Sequence, residues 1–306
     1  MESTKHALNE KPGFQIWWRL LRPHTLTASF VPVFVGTMLA LNETSLHFLL
    51  FLAMLLASIL IQAATNMFNE YFDFKRGLDN EESVGIGGTI VRDGIGPKTV
   101  LSLALIFFGV AALLGLYICV ETSWWVAAIG LICMLFGYLY TGGPFPIAYT
   151  PFGEVFAGFF MGTVIIGISF YIQTSIITAN VVWVSIPIAI FIACIMLSNN
   201  IRDLDGDKQN GRKTIAILLG RKNAIVLLGI LFSVAYVLTV IYIIVGMLPI
   251  WSLLALISTK MAFEVVKAFK GKSKPIEMMP AMILTGKTNS MYGLLMGISL
   301  LVNSLI

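Results

Sequence analysis

"LHFLLFLAMLLASILIQAATNMFNEYFDFKRG", residues 46–77, decides the fold. Its first two thirds are apolar apart from single polar positions, over about the twenty residues that a helix needs to cross the hydrocarbon of a bilayer. It does not end in a simple run of cations. Asn66 stands three and four positions before Asn69 and Glu70, and Asp73 stands four and three after them, which sets four oxygen-bearing side chains on one face of a helix, before Gly77 breaks it and Asp79 follows. Polar groups at that depth are expensive and point to function by default.

The rest of the chain fits that reading. Of 306 residues, 58% are hydrophobic and only 12% charged, with a mean hydropathy of +0.88, so a water-soluble domain is excluded. Apolar stretches at 25–42, 46–69, 99–119, 124–141, 152–173, 181–201, 223–245, 248–268 and 288–305 predict an all-α integral membrane protein with nine transmembrane helices. Lys and Arg collect in cytoplasmic loops. In this nine-span arrangement all 20 fall on one side: four before helix 1, four between helices 2 and 3, six between helices 6 and 7, and six from Lys260 to Lys287. The N-terminus is therefore predicted cytoplasmic and the C-terminus external, and the net charge of +4 needs no nucleic-acid partner. The first twenty residues lack the apolar core of a cleavable signal peptide. Cys119, Cys133 and Cys194 lie in predicted spans without ligand spacing and read as packing residues.

The polar pattern of helix 2 has an echo. Helix 6 ends in "LSNNIRDLDGDKQNGRKT", where Asn199, Asp203 and Asp207 stand at i, i+4 and i+8, and a basic stretch follows as it does after Asp73. Two such helix ends suit Mg²⁺, which takes one or two carboxylates and leaves its remaining positions to water and substrate phosphates. Carboxylates alone would repel a diphosphate, so the metal is a required part of this reading. The glycine-rich loop with "GIGGTI" and the stretch "LTGKTN" lack the spacing of nucleotide-binding loops. Arg92 and Lys98 suit a lid over an anion, while Tyr140, Tyr149 and Glu154, in or beside "YTGGPFPIAYTPFGE", suit a pocket for an aromatic substrate; Glu154 equally suits a helix N-terminus. Lys260, with Glu264 four positions on, is read as an ion-paired or snorkelling lysine.

The pair Asn69xxxAsp73 and Asn199xxxAsp203xxxAsp207 resembles the motifs of the UbiA superfamily of intramembrane prenyltransferases. "LRPHTLTASFVPVFVG", "NMFNEYFDFKRGLDNEESVGIGGTIVRDG" and "RDLDGDKQNGRKTIAILLG" are similar to its 1,4-dihydroxy-2-naphthoate polyprenyltransferases, the MenA type. The resemblance implies one prenyltransferase domain over 1–306, with the nine helices around a central cavity and loops 74–98 and 202–222 as cytoplasmic caps. It implies a multi-pass protein of the bacterial cell membrane with its active site on the cytoplasmic side. It implies Mg²⁺ as cofactor, polyprenyl diphosphate and 1,4-dihydroxy-2-naphthoate as substrates, and Asn69, Asp73, Asp203 and Asp207 as catalytic metal–diphosphate residues, with Asn199 beside them. In the superfamily the first motif reads NDxxDxxxD; here Glu70 replaces its first Asp and Gly77 its last, and Asp79 is the candidate for the missing metal ligand. The helix 4–5 loop lacks the basic residue of hydroxybenzoate-type members, which shifts anion binding to Arg92, Lys98 or Arg202. Other aromatic acceptors on the same fold (4-hydroxybenzoate, homogentisate, haem) and an ion-coupled transporter are the competing expectations.

Overall fold

The computed structural model describes residues 13–78 and 88–306, and these are helical throughout apart from turns and connections. Asp79 lies outside the described residues. A short helix, α1 (Phe14–Leu21), precedes α2 (Pro23–Ala40) and α3 (Phe48–Lys75). One turn of helix, α4 (Thr89–Arg92), leads to α5 (Pro97–Glu121) and α6 (Trp125–Leu139). Next comes a single rod built from α7 (Gly153–Ala157), a π-helical stretch (Gly158–Val164) and α8 (Ile165–Thr174). The chain ends with α9 (Ala179–Gln209), α10 (Ile215–Leu219), α11 (Arg221–Ile244), a 3₁₀ stretch (Ile250–Ser258) running into α12 (Thr259–Phe269), and α13 (Pro275–Leu305).

Local sequence explains these boundaries. Pro23, Pro97 and Pro275 occupy first helical positions, where the missing N–H is not needed. Gly77 takes φ +72° just past α3, a left-handed turn that a side chain would oppose. The Thr178 and Thr214 hydroxyls accept from the amides of Val181 and Ile217 and so cap α9 and α10. Both α3 and α9 run on past their predicted ends at 69 and 201, so the acid motifs are helical and residues 202–209 of the expected cap belong to α9.

Helix occurs over each of the nine predicted stretches, and among the described residues six segments are long and apolar enough to cross a membrane: α2, α3, α5, the α7–α8 rod, α9 and α11. The other three depart for visible reasons. The α6 helix has only 15 residues, and the 250–269 stretch divides between 3₁₀ and α geometry. Polar positions thread α13 and bond its neighbours: Asn289 Nδ2 and Ser290 Oγ both donate to Thr27 Oγ1 at 2.8 Å, and Ser299 Oγ donates to the Trp251 carbonyl.

The outward faces carry Leu105, Leu113, Leu131, Leu135, Ile230 and Val237, all exposed. A surface of that kind needs lipid as its solvent. Between helices the hydrophobic drive is weak, so close packing of small residues matters more. A Cβ on Gly162 would come within 2.6 Å of the Ala189 Cα, and one on Gly158 within 2.6 Å of the Ala189 carbonyl oxygen. The π-helical stretch thus lies directly on α9. A buried aromatic knot joins the other side of α9 to α11 and α13, where Phe191 stacks on Tyr292 at 4.2 Å and Tyr292 shares a 2.6 Å hydrogen bond with Thr239. Lys260 and Glu264 are both exposed on α12 and form no ion pair with each other.

Candidate active site

The two acid motifs meet. Asp73 lies in the last turn of α3 and Asp207 in the last turn of α9, and one guanidinium joins them: Arg212 Nη2 lies 2.8 Å from Asp73 Oδ1, and Nη1 lies 3.1 Å from Asp207 Oδ1. The backbone aims this arginine. After the cap residue Asn210, Gly211 adopts φ +76°, its N–H donates to the Lys208 carbonyl, and the Arg212 N–H donates to the Asp207 carbonyl. That is a Schellman turn, which folds the chain back over the end of its own helix. Burial alone would depress the Arg212 guanidinium, but the carboxylates of Asp73 and Asp207 hold it above its ordinary value. The Tyr149 ring lies under it at 5.0 Å and also meets Arg76 at 5.4 Å.

The other predicted residues distribute around this bridge. Asp203 lies close enough to repel both Asp73 and Asp207, and it is held by the fork of Arg202, its neighbour in sequence. Arg202 extends its other nitrogen to the sulfurs of Met279 and Met282, so it is engaged within the protein. Asn69 Oδ1 accepts from Thr141 Oγ1 at 2.6 Å. Asn199 Oδ1 and Asp207 Oδ2 are buried oxygens with no donor. Glu154, 4% exposed, accepts from Asn200 Nδ2 through one oxygen and leaves the other buried without a donor. Lys98 is exposed on the first turn of α5 and makes no ion pair with this network.

Two residues of the opening face turn elsewhere. Asn66 donates to the Leu21 carbonyl and to Thr25 Oγ1, tying α3 to the α1–α2 corner. Glu70, fully buried, accepts through Oε1 from Thr89 Oγ1 at 2.5 Å and from the Ile90 amide at 3.1 Å. It therefore anchors α4, the segment that carries Arg92, and stands apart from the acid pair. A second tie reaches the same segment, since Arg19 Nη2 contacts both oxygens of Asp93 at 3.0 Å.

Arg212 and Arg22 were not singled out by the sequence, because each sits among cations that the positive-inside rule already explains. For Arg22 the signal is conformational. It takes φ 52°, a left-handed backbone that non-glycine residues seldom adopt. Its side chain lines the cavity described next, is close enough to attract Asp73, and keeps a buried Nε without a partner.

A cavity of about 340 Å³ is lined by Asn69, one turn before Asp73, by Asn199, two turns before Asp207, and by Arg22, Asn66 and Tyr140. Apart from Thr25, Ser58, Gln62 and Thr65 the remaining wall is largely apolar and includes Ile61, Met134, Phe136, Phe160 and Ile192. Phe136 stacks on Phe160 at 4.3 Å and on Phe156 at 5.4 Å. A charged head and a hydrocarbon tail can therefore be held side by side. Among the described residues no three acids or histidines converge on one point. Mg²⁺ does not require that, since two carboxylates suffice when phosphate and water complete its shell. The donorless oxygens of Asp207 and Asn199 are hard ligands of the right kind, so the residues present fit the ion.

The comparisons with known proteins agree with this geometry. Residues 29–300 match the UbiA prenyltransferase family. The chain is 55% identical to the 1,4-dihydroxy-2-naphthoate octaprenyltransferase of Bacillus subtilis, over 94% of this chain and 93% of that one. It is 29% identical to the enzyme of the same name from Mycobacterium tuberculosis, over 90% and 92%. Among solved structures, a UbiA homologue from Archaeoglobus fulgidus bound to GPP and Mg²⁺ superposes with a TM-score of 0.66 at 17% identity, covering 94% of this chain and 99% of that one; the likeness there is one of fold. Helical membrane architecture, paired acids beyond Asn69 and Asn199 of a largely apolar cavity, and a match over most of its length together establish that the chain belongs to the UbiA prenyltransferase family.

Proposed function

We propose that the protein transfers a polyprenyl group from polyprenyl diphosphate to 1,4-dihydroxy-2-naphthoate, releasing diphosphate and CO₂ and giving demethylmenaquinol. The observation that carries the chemistry is the meeting of Asp73 and Asp207 through Arg212, one and two helical turns beyond Asn69 and Asn199, which line a largely apolar cavity. The choice of acceptor rests on the 55% identity to the Bacillus subtilis enzyme.

Asn69, Asp73, Asp203, Asp207 and Asn199 would hold Mg²⁺ around the diphosphate, with Asp79 a further candidate ligand. When bound, the ion neutralises charge that develops on the leaving diphosphate. Arg92 and Arg22 favour the same anion. The apolar wall excludes water from the allylic carbon as its C–O bond breaks, and the faces of Phe136, Phe156 and Phe160 favour positive charge nearby. Tyr140, at the polar end, is placed to orient the aromatic acceptor, and Glu154, beyond it, to position that end of the site. Carbon–carbon bond formation follows, and loss of CO₂ and a proton restores aromaticity. A 340 Å³ cavity is at the lower end of ligand pockets, roughly 300–1,000 Å³, so it takes the head and first isoprene units while the rest of the tail extends into lipid.

Nine spans, a cytoplasmic N-terminus and a site facing the cytoplasm of a bacterial cell are part of the same reading, supported by the gathering of all 20 Lys and Arg on one side of the predicted spans. The test is purified protein with Mg²⁺, labelled polyprenyl diphosphate and dihydroxynaphthoate, scored for prenylated naphthoquinone and CO₂. Product with another aromatic acceptor and none with dihydroxynaphthoate would overturn the acceptor and leave the family intact.

A further inference from the structure

Arg212 occupies the place between the acids that the proposed function gives to a metal ion and a diphosphate. We propose that Arg212 is a resident counter-ion, displaced on loading, that makes the site accept Mg²⁺ and diphosphate together and resist Mg²⁺ alone; this rests on the function proposed above.

Three observations support it. The guanidinium takes one oxygen from each acid, so the fork must be given up before the pair could offer those two oxygens to a metal ion. The bridge is also incomplete, since Asp207 Oδ2 and Arg212 Nε are both buried without partners. Asp207 itself is only 8% exposed. A buried polar group without a partner carries a penalty that any arrangement satisfying it would recover. Finally, the arginine has somewhere to remain, because the Schellman turn fixes its backbone and the Tyr149 ring offers the guanidinium itself a face to rest on.

The coupling follows from charge. Mg²⁺ entering alone would set a divalent cation beside an arginine whose two carboxylates had just been taken, which leaves a buried guanidinium unpaired. A diphosphate arriving with the metal supplies new acceptors for that guanidinium. Each ligand therefore raises the affinity for the other, and by reciprocity the factor is the same in both directions.

The experiment uses the full chain in detergent, stripped of metal with EDTA, and follows the thermal unfolding midpoint as Mg²⁺ is titrated with and without inorganic pyrophosphate. In the unmodified protein, Mg²⁺ alone should raise the midpoint only at high concentration, and pyrophosphate should lower the half-maximal Mg²⁺ concentration by about tenfold or more. In Arg212→Gln the half-maximal concentration for Mg²⁺ alone should fall by about tenfold, and the effect of pyrophosphate should shrink. Arg212→Lys, which keeps the charge but cannot fork between two acids, should move in the same direction and guards against a glutamine variant that fails to fold. Lys213→Gln removes the same charge from an exposed neighbour and should change the Mg²⁺ response less than about twofold. If Arg212→Lys behaves like the unmodified protein, or Lys213→Gln matches Arg212→Gln, the effect is general electrostatics and the proposal fails. Unmodified protein that transfers prenyl groups while Arg212→Gln binds Mg²⁺ no more tightly would sink this inference alone. Absence of prenyl transfer by the unmodified protein would instead remove the proposed function.

Discussion

Replacing Glu70 by alanine should release α4 from the bundle while leaving the rest of the protein folded. The Glu70 carboxylate is fully buried, and both of its hydrogen bonds, from Thr89 Oγ1 and the Ile90 amide, end on Oε1. Hydrogen bonds to a charged group contribute about 1.5–3 kcal/mol each when intact. The two share one acceptor, and the freed donors regain water once the segment lifts, so the local loss is taken as about 2–3 kcal/mol. That corresponds to a roughly 30- to 150-fold fall in protection of the Ile90–Arg92 amides against hydrogen exchange. Glu70→Gln keeps an oxygen where both donors point and loses only the charge, so its fall should be nearer fivefold, or about 1 kcal/mol. Hydrogen exchange with mass spectrometry in detergent reads both, with the amides of α11 as an internal standard that should not move. The KM for polyprenyl diphosphate should rise more than kcat falls, because Arg92 travels with α4. Unchanged protection of residues 90–92 in Glu70→Ala would refute the anchoring role, and equal loss in α11 would show that the carboxylate supports the whole bundle instead.

Three further outcomes follow from the site and its packing. Asp73→Ala and Asp207→Ala should each lower prenyl transfer by about a hundredfold or more while the protein stays inserted and folded, as read by a product assay beside size-exclusion chromatography; full turnover in either would discredit the metal assignment. Gly162→Ala drives a methyl into the Ala189 backbone and should destabilise by about 1–3 kcal/mol, whereas Gly167→Ala, with open space at its Cβ, should leave the thermal midpoint unchanged; equal midpoints would contradict the close approach. Gly130 lines the cavity and has nothing within 4 Å of its Cβ direction, so Gly130→Phe should suppress transfer from long polyprenyl diphosphates more than from geranyl diphosphate; equal loss with both donors would place the tail elsewhere.

The sequence exposed the acids because charges are rare in apolar helices, and those that remain are concentrated where they act. Asn69, Asp73, Asn199, Asp203 and Asp207 stood out by depth and spacing alone. Spacing does not say where a side chain finds its partner. Glu70 is adjacent to Asn69 and carries the same charge as Asp73, yet Thr89, 19 positions on, claims it. Arg202 looked available for an anion until its neighbour Asp203 and two methionine sulfurs were seen to hold it. Arg212 was hidden among cations that orient the chain in the membrane, and its role depends on a turn that brings helix ends together. The helices were legible from hydropathy, except where tertiary bonds replace it, as Thr27 does for Asn289 and Ser290 of α13.

The lengths of α3 and α9 have a consequence for selectivity. At 1.5 Å per residue, 28 and 31 residues span about 42 and 46 Å, well beyond a hydrocarbon core of about 30 Å, and the surplus at one end carries Asp73 and Asp207. In the proposed arrangement that surplus would set the acids at the level of the headgroups. There the anions most often met are the phosphodiesters of ordinary lipids, which resemble a prenyl diphosphate in having a phosphate joined to a greasy tail. If Arg212 is displaced on loading as proposed, a singly charged phosphodiester would bring less charge than the two carboxylates it must replace around that arginine, and a diphosphate with its metal would bring more.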